Sequence, residues 1–321
     1  MKILLASPID PRAVETLARR HDPQRLQPGA EPTQLRGSVR DREVVVVRSG
    51  VVLSAEVLSA APALRLIVRA GSGLDNIDLT AAAQRGVRVV RVAGMSAPPV
   101  AELTFALLLA LARNITTADR LIRDGHWPKT QLGGPLLRGK VLGVVGAGNI
   151  GRLVGEMGHA WGMTVLGCVA NPSPAVAATL ARRGIALTDF DDVIARSDFV
   201  SLHVPLDDAT HHMVDAAVLD RMRPGSLLVN MARGGVVDEK ALYDSLTTGS
   251  TVSGAALDVH ESEGEGTISP LAELSNVVLT PHIGAMALDS QRLIGERVVE
   301  LIDAYEQGRL DEEVRDGEHV V

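Results

Sequence analysis

Short, uniformly apolar runs recur along this chain and alternate with helical stretches. In the first block they are Ile3–Ala6, Val44–Val47, Leu66–Val68 and Val87–Val92, separated by helical segments around Arg12–Arg20, Ala55–Ala60 and Leu79–Gln84. Beyond Pro98-Pro99 they are Val141–Val145, Thr164–Cys168, Phe199–Val204, Leu227–Asn230, Gly254–Leu257 and Val277–Leu279. A strand that is apolar at every position is covered on both faces, and helices between such strands supply the covers. The pattern predicts an α/β chain with parallel sheets in two blocks. A length of 321 residues agrees, at about 100–200 residues per domain. Val100–Arg113, without a polar side chain from Phe105 to Ala112, is expected to be a long buried helix joining the blocks, with prolines suited to its start. A later helix, Gln291–Glu306, is placed to return to the first block. Residues 22–42 read as loop with a short helix, and the acidic tail Gly308–Val321 as partly mobile.

Composition narrows the function classes. A net charge of −7 is the wrong sign for a dedicated polyanion binder. Three Phe, two Trp and two Tyr are too few for a base-stacking platform, so no nucleic-acid partner is expected. A single cysteine, Cys168, leaves no internal disulfide and no multi-cysteine zinc site. The opening MKILLAS is cut off by Pro8, Asp10 and Pro11 and reads as a first strand, Lys2–Ser7, rather than a secretory signal. The most apolar helix is shorter than the ~20 residues of a membrane crossing. A soluble cytoplasmic chain without a membrane partner is expected. Adjacent His211-His212 would diverge on a helix or strand, and no metal site is expected there or elsewhere. Cys168 is expected to pack in the core, with Met213, Met222 and Met231 as core filler.

Four local motifs carry chemistry. Gly146-Ala147-Gly148-Asn149-Ile150-Gly151 follows the strand VLGVV and opens an amphipathic stretch, Arg152–Trp161. This is the context in which GxGxxG binds a dinucleotide. Gly146 permits the tight turn, Gly148 the approach of the pyrophosphate, and Gly151 the close packing of helix on strand. The acid that usually meets the adenosine ribose some 20 residues on is absent. Val169-Ala170-Asn171 stands there, which leaves NAD and NADP both open. The second motif, Asn230-Met231-Ala232-Arg233-Gly234-Gly235, puts an arginine at the carboxyl end of a strand, where open α/β sheets bind ligands. Its guanidinium suits a carboxylate. The third pairs Asp258-Val259-His260-Glu261-Ser262-Glu263 with Thr280-Pro281-His282-Ile283-Gly284-Ala285, each just past a strand. A histidine beside a carboxylate suits proton transfer near neutral pH. The fourth, Arg69-Ala70-Gly71-Ser72-Gly73, exposes glycine N–H groups as a possible anion nest, while Asp75 or Asp78 caps the following helix.

With these pieces in order, the chain resembles the D-isomer-specific 2-hydroxyacid dehydrogenase family, of the phosphoglycerate dehydrogenase and glyoxylate-hydroxypyruvate reductase kind. The likeness runs from about Leu64 to Arg292 through AGSGLDNID, VAELT, GKVLGVVGAGNIG, SLHVPL, NMARGGVVDE, GAALDVHESE and TPHIGA. It implies two doubly wound parallel-sheet domains: a flavodoxin-like substrate domain, residues 1–98 with 287–321, and a Rossmann NAD(P)-binding domain, residues 99–286. It implies a catalytic set of Arg233 for the substrate, Glu263 as the acid paired with histidine, and His282 as proton donor. Ser72, Gly73, Ser96, Arg233 and His282 would meet the substrate. Gly146, Gly148, Asn149, Ile150 and Gly151 would hold the pyrophosphate. Val169, Asn171, Val204 and Pro205 would lie by the adenosine. Ser72, Thr104, Met231, Ala232, Arg233, Asp258, His282, Gly284 and Ala285 would complete the cofactor site.

The resemblance also implies a homodimer, with Val100–Arg113 near its interface, and a small carboxylate substrate. The reaction it implies is hydride transfer between a nicotinamide, NAD or NADP with a leaning to NAD, and C2 of a 2-hydroxy or 2-oxo acid of D configuration. The chain departs from the family pattern at Val169, at Arg91-Val92-Ala93, Ser96 and Pro98-Pro99, at Gly264-Glu265-Gly266 after Glu263, and at Met286. Arg91 is a possible second positive charge near the substrate. The alternatives are a dinucleotide-sensing, corepressor-like interaction protein and a phosphite-type anion dehydrogenase on the same scaffold. Formate is disfavoured by Glu263, where formate enzymes generally carry Gln.

Overall fold

Two parallel sheets organise the chain. The computed structural model describes every residue except Pro28 and Ser250. The first sheet holds β1 (Lys2–Leu5), β2 (Asp22–Arg25), β3 (Val44–Val47), β4 (Leu66–Arg69) and β5 (Arg88–Arg91), in the order β2-β1-β3-β4-β5. The second holds β6 (Val141–Val145), β7 (Thr164–Cys168), β8 (Ile185–Leu187), β9 (Phe199–Leu202), β10 (Ser226–Asn230), β11 (Val252–Leu257) and β12 (Val277–Leu279), in the order β12-β11-β10-β9-β6-β7-β8. The first is the flavodoxin-like order and the second the dinucleotide-binding order extended by a strand. Ligands of such sheets bind beyond the carboxyl ends of the strands where the order reverses, at β1/β3 and at β6/β9. The first sheet lies in the unit Met1–Ser96 with Ala285–Val321, the second in Ala97–Gly284. Each crossing falls two residues before the boundary expected from the sequence.

Burial explains why the strands were legible. All four residues of β3, β4 and β9 are buried, as are all five of β10. Two strands escaped the reading. β2 is the polar DPQR, an edge strand inside the segment read as loop, where Pro23 is tolerated because an edge leaves backbone groups unpaired. β8 is a three-residue edge strand, too short to carry a period. The expected joining helix runs Ala97–Ala112 and is mostly buried within its unit. Among the described residues no single helix is long and apolar enough to cross a membrane. Ala97–Ala112 and Ile115–Arg123 meet that length only together, and they are bent by 62°.

The tail expected to be partly mobile is instead bonded onto β5. Val89 N–H donates to the Val321 carbonyl at 3.0 Å and Arg91 N–H to that of Glu318 at 2.8 Å. Val90 and His319 form an antiparallel bridge. The cause is a buried ion pair. Arg297, in the helix Leu288–Glu306, has a side chain only 1% exposed, and Glu318 is 2% exposed. Arg297 Nε and Nη2 meet the two Glu318 oxygens at 3.1 and 2.6 Å, the bidentate geometry of a strong charge-assisted pair. Burial pushes the Glu318 carboxyl up, but the bonds and charge of Arg297 outweigh it and hold the group below its ordinary value. Removing one partner leaves a buried charge exposed to its full desolvation cost. Glu318→Ala is expected to destabilise the fold by about 3 kcal/mol in urea unfolding.

Candidate active site

The site in the seven-stranded unit is built on a glycine turn. Gly146 follows β6 with φ +89°, a left-handed conformation. Its N–H and that of Ala147 donate to the Cys168 carbonyl at 3.1 and 3.0 Å, tying the turn to the end of β7. A Cβ on Gly146 would stand 2.6 Å from the His203 carbonyl oxygen, just past β9, so only glycine lets β9 close on the turn at the switch point. Gly148 faces open space, with nothing within 4 Å of where a Cβ would be. The helix Asn149–Ala160 starts here, and its first N–H groups lack intrahelical acceptors. An open glycine cradle at a helix N-terminus fits a dinucleotide pyrophosphate.

The other expected cofactor residues are distributed around this turn. Val204 Cγ1 would be 2.9 Å from a Gly146 Cβ, and Pro205 follows it. Val169 and Asn171 lie just past β7, Met231 and Ala232 just past β10 and buried. Thr104 is fully buried, and its hydroxyl donates to Val100 of its own helix at 2.7 Å. Cys168 packs in the core, and burial pushes its thiol up, away from reactivity. Burial pushes His203 down to about 3, so this imidazole is neutral; its Nε2 lies 2.8 Å from Ser201 Oγ.

The His282–Glu263 pair is fixed by a buried carboxylate. Asp258, 2% exposed at the end of β11, accepts bonds from Thr280 Oγ1 (2.6 Å) and from the N–H groups of Ile283 (2.9 Å) and Gly284 (2.7 Å). Its carbonyl accepts the His282 N–H at 2.7 Å. This clamp holds His282 at φ +54°, a conformation a histidine rarely adopts. The His282 ring then meets Glu263, with Nδ1 2.9 and 3.1 Å from the two carboxylate oxygens. Burial pushes the Glu263 carboxyl up. The hydrogen bond and charge of His282, with the His260 N–H at 3.2 Å, outweigh burial and hold it below its ordinary value. Glu263 is therefore ionised and can only accept. Nδ1 carries the proton of that bond, which leaves Nε2 for a substrate. His260, by contrast, points Nε2 at the Thr280 carbonyl at 3.0 Å.

Arg233 sits just past β10, on a loop pressed against the segment that bears Glu263. A Cβ on Gly234 would overlap the His260 carbonyl, so glycine is required for that approach. Asn230 Nδ2 holds the Arg233 carbonyl at 3.1 Å. A layer behind these residues was not foreseen. Glu239 accepts the Glu261 N–H at 2.7 Å, and Glu261 accepts the Glu239 N–H at 3.1 Å. His212 Nε2 lies 3.0 Å from Glu261. His211 and His212 do not diverge as expected, because they lie in a turn where His212 takes φ +49°, and their rings stack at 4.1 Å.

In the five-stranded unit, Ser72 Oγ lies 3.1 Å from Ser96 Oγ. The expected nest is reduced, because the Gly71 N–H is spent on the Arg69 carbonyl at 2.8 Å; Gly73 follows Ser72 in the same loop. Asp78 caps its helix, accepting from Ala81 N–H at 2.8 Å. Arg91 is not a spare charge. It donates to the carbonyls of Ser72 and Gly317. Arg48 was missed, although an arginine directly after an all-apolar run is placed at a strand's carboxyl end. Its N–H donates to Ser7 Oγ at 2.9 Å across the β1/β3 switch point. Ala285, expected with the cofactor residues, is the first residue of the return into this unit, whereas Gly284 ends the other. Among the described residues one group of potential metal ligands, His21, Asp303 and Glu306, comes within 4.8 Å, and Arg20 already pairs with both carboxylates.

Residues 105–284 match the family model of the D-isomer specific 2-hydroxyacid dehydrogenase NAD binding domain. The chain belongs to this family. Among curated family members, the D-3-phosphoglycerate dehydrogenase of Archaeoglobus fulgidus is 40% identical over 301 residues, covering 94% of this chain and 56% of that protein. The chain thus spans little more than half the length of such relatives. The hydroxypyruvate reductase of Thermotoga maritima is 38% identical over 303 residues, covering 94% of this chain and 97% of that one. Among solved structures of the family, D-lactate dehydrogenase from Aquifex aeolicus, complexed with NAD and lactic acid, superposes with a TM-score of 0.87 at 29% identity, over 100% of this chain and 99% of that one. The glycine turn offers a direct test of the family's nucleotide site. Gly146→Ala is expected to weaken NADH binding by about 5- to 150-fold in calorimetric titration, because strain of about 1–3 kcal/mol at φ +89° and overlap with the His203 carbonyl displace the turn.

Proposed function

We propose that the chain is an NAD(P)-dependent oxidoreductase that moves a hydride between the nicotinamide and C2 of a D-2-hydroxy or 2-oxo acid. The observation that carries this reading is the His282–Glu263 pair held by Asp258 in the same unit as the Gly146–Gly151 turn. The bound nicotinamide supplies or takes the hydride. His282 gives a proton from Nε2 to the carbonyl oxygen as the 2-oxo acid is reduced, and takes it back in the reverse direction. Glu263 accepts the Nδ1 proton and so fixes the ring with Nε2 turned away from it. Arg233 takes the substrate carboxylate with its planar fork and draws electron density from the adjacent carbonyl. Gly146, Gly148, Asn149, Ile150 and Gly151 hold the pyrophosphate. Val169 stands where an acid would repel a 2′-phosphate, so the adenosine end admits both NAD and NADP.

Arg48 and Arg69 support a substrate with a second anionic group. They lie at the carboxyl ends of adjacent strands, β3 and β4, where Val47 and Arg69 are in register. Burial pushes the Arg48 guanidinium below its ordinary value, and its Nη2 meets only the soft sulfur of Met286 at 3.3 Å among the described residues. An anion there would offset that cost. A cytoplasmic setting is proposed with this activity, because the reaction draws on a free NAD(P) pool. The oligomer proposed is a homodimer formed through the seven-stranded unit. Ile115 and Ile122 are each 51% exposed, Trp127 81% and Leu136 68%, an apolar set that a second copy would cover.

Turnover is tested by cofactor absorbance against a panel of 2-oxo acids, with and without a second carboxylate or phosphate, using NADH and NADPH. His282→Ala and Arg233→Ala are each expected to lower kcat by about 10²–10⁴-fold while circular dichroism stays native. Normal turnover in either variant would refute the assignment. Light scattering is expected to give twice the chain mass of 33.9 kDa, and a monomer for Trp127→Asp.

A further inference from the structure

We infer that Arg91 is a positioning residue that makes the Ser72 loop depend on the chain's segment 315–321. This rests on the reading that Ser72 meets the substrate. Arg91 ends β5, and its guanidinium is divided between two carbonyls. Nη1 donates to Ser72 at 3.0 Å, and Nε donates to Gly317 at 2.6 Å. One acceptor is 19 residues away and the other 226. The Ser72 hydroxyl is held from the other side by Ser96, which is 8% exposed. At Ser72 the loop is thus held by one side-chain hydroxyl and one guanidinium, and the guanidinium also bonds Gly317.

Gly317 is in turn immobilised by its neighbour. Glu318 is locked to the buried Arg297 by two bonds, and its carbonyl accepts the Arg91 N–H. The order of dependence is Arg297, Glu318, Gly317, Arg91, Ser72. Every link is a hydrogen bond to a charged group or to backbone except the peptide bond that joins Gly317 to Glu318, and all belong to the same unit. A guanidinium is suited to this task because its fixed fork addresses two acceptors at once, which an ammonium on a flexible stem does not. Arg91 therefore acts on the reaction through Ser72 and does not touch the substrate itself.

The test is hydrogen–deuterium exchange on the full chain together with steady-state kinetics. Arg91→Met is expected to raise exchange in residues 70–76 by about tenfold, as loss of a charge-assisted bond implies, with peptides from β1 and β3 unchanged. Glu318→Gln is expected to raise exchange in the same loop by a smaller factor. In turnover, Arg91→Met is expected to raise KM for the 2-oxo acid about tenfold with kcat held within about twofold. Arg91→Lys keeps the charge and stem but not the fork, and it gives the same comparison should Arg91→Met not fold. Unchanged exchange at residues 70–76 in a folded Arg91 variant overturns the inference. A wild-type chain that reduces no 2-oxo acid would refute the proposed activity instead, and the exchange result would still decide whether Arg91 couples the two segments.

Discussion

The buried carboxylate of Asp258 is the constraint on which the site depends. A carboxylate 2% exposed must have its lone pairs met, and here three donors from the Thr280–Gly284 segment meet them. Those bonds define the path of that segment. They are what allows His282 to sit at φ +54° with its N–H on the Asp258 carbonyl. Strain at a functional residue persists where the surroundings over-determine it, and the clamp supplies that. Without it the imidazole would have no reason to face Glu263.

The segment bearing Glu263 is fixed from a different direction. Glu239 and Glu261 each accept the other's backbone N–H, which joins the start of helix Glu239–Thr248 to the chain just before Glu263. Gly234 closes against the His260 carbonyl and brings the Arg233 loop to the same segment. The segment bearing the acid is therefore held by the Glu239–Glu261 bonds and by the close approach of the Arg233 loop. After the acid this chain turns at Gly264 and Gly266, with φ of +143° and +80°, a backbone that glycine permits.

In the other unit, charge is used structurally. Arg297 and Glu318 exchange two bonds in the interior, and the acidic segment around Glu318 becomes an edge of the first sheet. Arg91, by sequence a spare cation at a strand end, is consumed by two carbonyls. Burial pushes the Arg48 guanidinium below its ordinary value, and the residue follows β3 at the point where the strand order reverses.

The sequence by itself determined the two parallel sheets and the glycine turn after β6, and its family resemblance pointed to Arg233, Glu263 and His282 as the set to look for. Apolar runs such as VVVV and SLLVN are buried at every position, and that requirement is written locally. Gly146 answers its own left-handed φ of +89°, and Gly151 the closeness of Gly146 and Val144; both demands lie within a few residues, so they too are legible. Only the tertiary structure decided the rest. β2 is polar and stays a strand through its backbone pairing with β1 alone, which no side-chain pattern records. The tail's acid finds Arg297 across 21 residues, and Arg91 finds Gly317 across 226. Whether a charged residue is solvated, paired in the core or spent on a carbonyl depends on what the fold brings to it, and long-range partners leave no periodicity in the sequence.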